Sequence, residues 1–185
     1  MILTAKGEIH LDKNRKKLTF LLRILVLAWM LLIFCFSAAD GTESSDTSHS
    51  VGRFLGRIFV SGYSEMSEEE QLEWADKIDY PIRKCAHASE YAVLALLMFG
   101  ALGEGTIFDR RKYTRYLFSF LFTAMYACTD EFHQTFVPGR AGTIFDVGVD
   151  SAGAAAGLCI LWLVKRQIEK KHSRKCTESD PEMSS

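Results

Sequence analysis

The chain has 185 residues, a net charge of -1 and five cysteines, which is one domain's worth of sequence. A charge so near zero gives no electrostatic ground for a nucleic-acid partner. Cys35, Cys85, Cys128, Cys159 and Cys176 are scattered singly, with no CxxC or CxxH, which argues against a zinc module or a disulfide scaffold.

In chain order, residues 1–17 form a basic tail (Lys6, Lys13, Arg15, Lys16, Lys17) ahead of an apolar run over 18–39. A membrane helix needs about 20 such residues, and Arg23, one turn inside, can snorkel to the interface. The basic prefix and the Ser37-Ala38-Ala39 ending also fit a cleaved signal peptide. The length of the run and the spans that follow favour a retained helix.

Residues 40–85 form a long connection. Val51, Phe54, Leu55, Ile58 and Phe59 recur at helical spacing, which predicts an amphipathic helix on the membrane surface. Ser67 and Glu70 fit a capping box opening a second short helix through Trp74 and Ile78, with Pro81 as its stop. Two readings stay open: these helices cap the bundle, or they wall a site beneath them. Cys35 and Cys85 fall near the same predicted surface, where a bridge between them could form.

The second apolar run spans 86–102, the third 116–137 and the fourth 145–164; residues 165–185 read as a basic, disordered tail. Basic residues gather in the N-terminal tail, in the second connection (Arg110, Arg111, Lys112, Arg115) and in the C-terminal tail. The first connection is dominated by acids and the third carries only Arg140. Lys and Arg bias sets orientation, so the expectation is an all-α, multi-pass bundle in the cell membrane. It has four transmembrane helices within 18–164 and both termini cytoplasmic.

The informative residues are the polar ones inside these runs, because ionisable groups are costly there. With 3.6 residues per turn, positions 83, 87, 90 and 94 share one stripe, which stacks His87 and Glu90. The third run is cleanly apolar only over 116–129 and then carries Asp130, Glu131, His133 and Gln134. Asp146 and Asp150 open the fourth run, and Gly153 and Gly157 continue their stripe as a GxxxG that permits close packing. The loop-charge topology puts all of these groups at the outer ends, and Ser37 could join them.

Such a set has a recognisable chemistry. His87, Glu90, Asp130 and His133 are candidates for acid–base work. Arg83, Lys84 and Arg140 could clamp a phosphate or carboxylate, with Glu131, Gln134, Asp146 and Asp150 completing a substrate-binding set. The carboxylates could hold a divalent cation, for which His would favour zinc or manganese over calcium. No spacing matches a metal motif, so neither metal nor cofactor is assigned. The competing reading is an ion-pair network that only locks helices together.

The segment Arg83-Lys-Cys-Ala-His87-Ala-Ser-Glu90-Tyr91 resembles the RKxAHxxEY motif of VanZ-like membrane proteins. Thr129-Asp-Glu-Phe-His-Gln-Thr-Phe-Val-Pro-Gly-Arg140 resembles their TDExHQxFxPxR motif, and Asp146, Asp150, Gly153 and Gly157 resemble the tail that follows. Phe36-Ser37 is similar to the family's opening, and the likeness runs over about 18–164. It implies a four-helix membrane domain of the bacterial cell envelope. The founding member is associated with teicoplanin resistance in Gram-positive bacteria, and a kinship with enzymes that modify lipids and cell-wall precursors has been proposed. Many members carry Asn at the position of Asp150, which implies a supporting role for this carboxylate. The resulting expectation is action at the outer leaflet on a lipid-linked phosphate or peptidoglycan-type precursor, with membrane lipids as the other partner. The alternatives are a non-catalytic binder of precursor or drug, and a structural or regulatory membrane partner.

Overall fold

The computed structural model describes the backbone of residues 2–39, 41–103 and 113–178, and the side chains of 14–39, 45–103 and 113–174. The described residues form five helices and no strand: α1 (Ile2–Ala38), α2 (Gly41–Phe59), α3 (Glu68–Ala101), α4 (Thr114–Gln134) and α5 (Ile144–Glu178), with a 3-10 turn at Tyr63–Glu65. The second basic loop lies outside them apart from Arg115. The helical tail is longer than expected: 165–178, read from sequence as disordered, continues α5. Lys, Arg, Gln and Glu are good helix formers, and the preceding span supplies the nucleus.

Two helices, over Asn14–Ala38 and Ile144–Arg174, are long and apolar enough to cross a membrane among the described residues. The apolar parts of α3 and α4 are cut short by the polar groups they carry. Their outward faces are nonetheless greasy. Val93 and Leu96 of α3 and Leu117, Leu121, Phe122 and Met125 of α4 are exposed.

Pro81 does not end a helix. It lies inside α3, which continues without interruption from the capping box into the apolar segment. The ring removes one backbone donor, but α2 packs along the first half of α3 and holds it in line. Gly52 lies against Ile78 and Ala75, His49 Nε2 is 3.0 Å from Asp76, and Ser48 donates to Asp79. The expected pair of surface helices is therefore α2 and the first turns of α3.

The capping box itself is present. Ser67 Oγ accepts from the Glu70 amide at 3.3 Å, and Glu70 accepts from the Ser67 amide at 2.8 Å. That backbone hydrogen bond holds the Glu70 carboxyl below its ordinary pKa. Its stabilisation is therefore present above the usual glutamate pKa and lost as pH falls through the lowered folded value. Ser67→Ala should cost about 1 kcal/mol, read by chemical denaturation of the detergent-solubilised protein.

α5 packs closely on α3 because both present small residues. A Cβ on Gly157 would lie 3.0 Å from the Ala92 carbonyl oxygen, and one on Gly153 would run into the backbone of Ala88. Ala95 and Ala154 are fully buried beside them. Two arginines close the C-terminus of α3, where carbonyls lack partners and the dipole favours a cation. Arg23 donates to Ala101 O at 3.3 Å and the buried Arg115 donates to Phe99 O at 2.6 Å, both at the end of α3. Arg23 thus has a protein acceptor instead of only snorkelling. Tyr126 donates to Met30 O at 2.6 Å and Trp29 to Glu90 O at 2.9 Å, tying α1 to α4 and α3.

Candidate functional site

At the other end of the bundle the polar residues of four helices meet. Asp130, 3% exposed, is the hub. Its Oδ2 accepts from Ser37 of α1 at 2.8 Å, Tyr91 of α3 at 3.0 Å and Gln134 of α4 at 3.3 Å. Gln134 also donates to Glu131 Oε1 at 3.1 Å, and Glu131 Oε2 accepts from the Thr143 amide at 3.1 Å. Gly142 makes this approach of the α4–α5 connection feasible, since a Cβ there would meet the Glu131 carbonyl.

α5 brings its two acids against α3. Lys84 pairs with Asp146. Asp150, 1% exposed, has Oδ1 3.9 Å from His87 Nδ1, too far for a hydrogen bond. Arg83 pairs instead with Asp79, one turn earlier on its own helix, at 3.1 Å. Arg140 donates from Nε to Ala39 O at 3.1 Å and from Nη2 to Phe36 O at 3.1 Å, closing the C-terminus of α1. Its Nη1 lies 3.5 Å from Gln134 Oε1. Burial and the neighbouring Arg83 draw its pKa below the ordinary value.

Two cavities adjoin at His87. One, about 290 Å³, is lined by Glu90, His87, Arg83 and Arg140 together with Ser48 and Val51 of α2. The other, about 340 Å³, is lined by His87, Lys84, Asp146, Arg140 and Gln134. His87, Arg83 and Arg140 border both. α2 thus forms a wall of the first cavity. His133 lies elsewhere: its ring packs on Phe34 of α1, centroids 4.5 Å apart, and it lines neither cavity. Cys35, Cys85, Cys128 and Cys159 are free thiols, so Cys35 and Cys85 are not bridged.

The model of the VanZ/LLP1 family matches residues 22–165. The chain belongs to the VanZ/LLP1 family. The match runs from α1 into α5 and takes in every residue of the polar end described above. Family and long apolar helices together support a membrane protein. No curated protein and no solved structure matches the chain.

Two contacts carry little sequence signal, one within this VanZ/LLP1 site and one outside it. Tyr91, the residue after Glu90, donates to Asp130, and a Tyr adjoining a polar stripe in an apolar run was the available signal. His49 and Asp76 join α2 to α3, but nothing in the intervening sequence indicates that they meet.

Proposed function

We propose that this VanZ/LLP1 protein is a multi-pass membrane protein of the bacterial envelope whose cavity at His87 receives the anionic head of a lipid-linked phosphate or peptidoglycan-type precursor. The observation that carries the reading is His87 itself. It borders both cavities, and its Nδ1 is buried without a hydrogen-bond partner among the described residues. Buried polar groups are normally satisfied, so an orphaned imidazole nitrogen at a cavity wall suits a ligand or a proton. Glu90, one turn on, faces the first cavity, and the two are the proton-handling pair. Arg83, Lys84 and Arg140 supply positive charge at the rim for the anion. Asp130 serves as a positioning residue, since its bonded oxygen is committed to three helices.

Four spans, with residues 1–17 and 165–185 cytoplasmic and the cavities at the outer leaflet, fit the lysine and arginine bias. The exposed apolar faces of α3 and α4 support the two spans that are interrupted by polar groups. Apolar surface of this extent on a water-soluble protein would be an aggregation liability. A link to glycopeptide resistance is part of the same proposal.

The test is profiling of lipids and cell-wall precursors, with teicoplanin susceptibility, in a strain lacking the protein. Restoration of an altered precursor pool by wild type, but not by His87→Ala present at equal level in the membrane, is the expected result. Full restoration by His87→Ala would refute the proposal. A second reading, a helix-locking network, is favoured only by the Asp130 hub and predicts loss of inserted protein instead.

A further inference from the structure

We propose that His87, Glu131 and Asp150 form a binding site for a divalent transition-metal cation of the manganese or zinc type. One ligand atom from each lies within 4.8 Å of the other two. Metal–ligand bonds of about 2.0–2.2 Å place ligand atoms at most roughly 4.4 Å apart. Closing the triangle therefore needs the ligand atoms to draw closer together around the ion.

Three observations point to a cation. The first is the unsatisfied chemistry: Asp150 is 1% exposed and its Oδ2 has no hydrogen-bond partner among the described residues, nor has His87 Nδ1. A buried carboxylate in that condition costs several kcal/mol unless it is paired or neutralised. The second is that nearby cationic side chains are engaged elsewhere. Lys84 is on Asp146, Arg83 on Asp79, and Arg140 on the carbonyls of α1. The third is preorganisation. Glu131 is fixed by the Thr143 amide and the Gln134 side chain, and outer partners of this kind orient metal ligands.

The donor set fits the proposed cation. One imidazole and two carboxylates suit manganese or zinc better than calcium, which prefers oxygen ligands alone. Three protein ligands leave a coordination position open, and His87 borders both cavities, where a substrate phosphate would enter. This refines the proposed function: with its imidazole on the cation, His87 no longer handles protons, and that task falls to Glu90. The binding site itself stands or falls on metal binding, whatever the substrate.

The test uses the full chain in nanodiscs, stripped with chelator and titrated with Mn²⁺. Wild type should bind one equivalent, gain thermal stability, and show imidazole nitrogen coupling in pulsed EPR of the bound ion. His87→Ala and Asp150→Ala should each weaken binding at least about tenfold, while His49→Ala should bind as wild type does. Absence of a bound equivalent in wild type, or unchanged binding in His87→Ala and Asp150→Ala, would overturn the site. If those variants fail to insert, the EPR spectrum of His49→Ala decides: without nitrogen coupling, the proposal fails. A negative result here leaves the precursor-profiling outcome untouched, so the two failures are separable.

Discussion

Asp130→Ala should destabilise the protein by about 3 kcal/mol or more, measured by reversible unfolding in detergent. The loss exceeds that of an ordinary hydrogen bond because several donors converge on one oxygen. Removal strands Ser37 and Tyr91, both fully buried, and takes one acceptor from Gln134. An unsatisfied buried donor costs about 1–3 kcal/mol, and solvent does not reach the fully buried Ser37 and Tyr91 to replace the acceptor. The three donors come from α1, α3 and α4, so the damage should appear as separation of helices and not as local fraying. Asp130→Asn keeps an acceptor oxygen and should recover part of the loss. In a double-mutant cycle, Ser37→Ala should cost less in the Asp130→Ala background than in wild type. Additive costs would mean that the hub does not hold the helices together.

Substitutions at the glycines of α5 should rank in a definite order. A Cβ on Gly148 meets nothing within 4 Å, so Gly148→Ala should stabilise by up to about 1 kcal/mol through helix propensity alone. On Gly157 the added carbon sits 3.0–3.2 Å from Ala92 atoms, and a small shift of the helices balances the propensity gain. On Gly153 it would collide with the Ala88 carbonyl group and lie 2.7 Å from the Ala88 Cα. Backbone cannot rotate away as a side-chain tip can. Gly153→Ala should therefore cost about 2 kcal/mol or more, in the range of overpacked cores, and Gly153→Leu should leave little folded, inserted protein. Because His87 is the neighbour of Ala88, prising α5 from α3 also withdraws Asp150 from the imidazole. Thermal stability of the three alanine variants in one detergent checks the order. Equal stability of Gly148→Ala and Gly153→Ala would contradict the packing described here.

Much of this molecule could be read before its structure was known. The helical periodicity of 51–59 and the Ser67–Glu70 box locate α2 and the start of α3, because both signals are local. The glycines of α5 announce a close contact, since a small-xxx-small stripe in an apolar helix has few other uses. Pro81 reads as a stop from its ring alone, but the packing of α2 on the surrounding turns keeps the helix going. Residues 165–185 read as a disordered tail, whereas 165–178 extend a helix that already exists.

The polar end shows the division most clearly. One-dimensional spacing placed His87 with Glu90 and Asp146 with Asp150, because positions three or four apart on a helix share a face whatever surrounds them. It grouped His133 with Asp130 by the same rule, yet His133 packs on Phe34 while Asp130 turns to Ser37 and Tyr91. A helix face is broad enough to serve two neighbours, and only the rotation of α4 against α1 and α3 decides which residue meets which. Arg140 reads as an anion clamp from its charge, and only the structure adds that two of its nitrogens bond the last carbonyls of α1.

The sequence by itself determined most helical segments, their apolar faces and the family, because these follow from periodicity, capping and motif order along a single chain. The tertiary structure decided which carboxylates became hubs, which cations were already engaged, and that His87, Glu131 and Asp150 come within a few ångströms of one another. Those choices depend on relative helix rotation and on competition among partners, and neither quantity is encoded by residues adjacent in sequence.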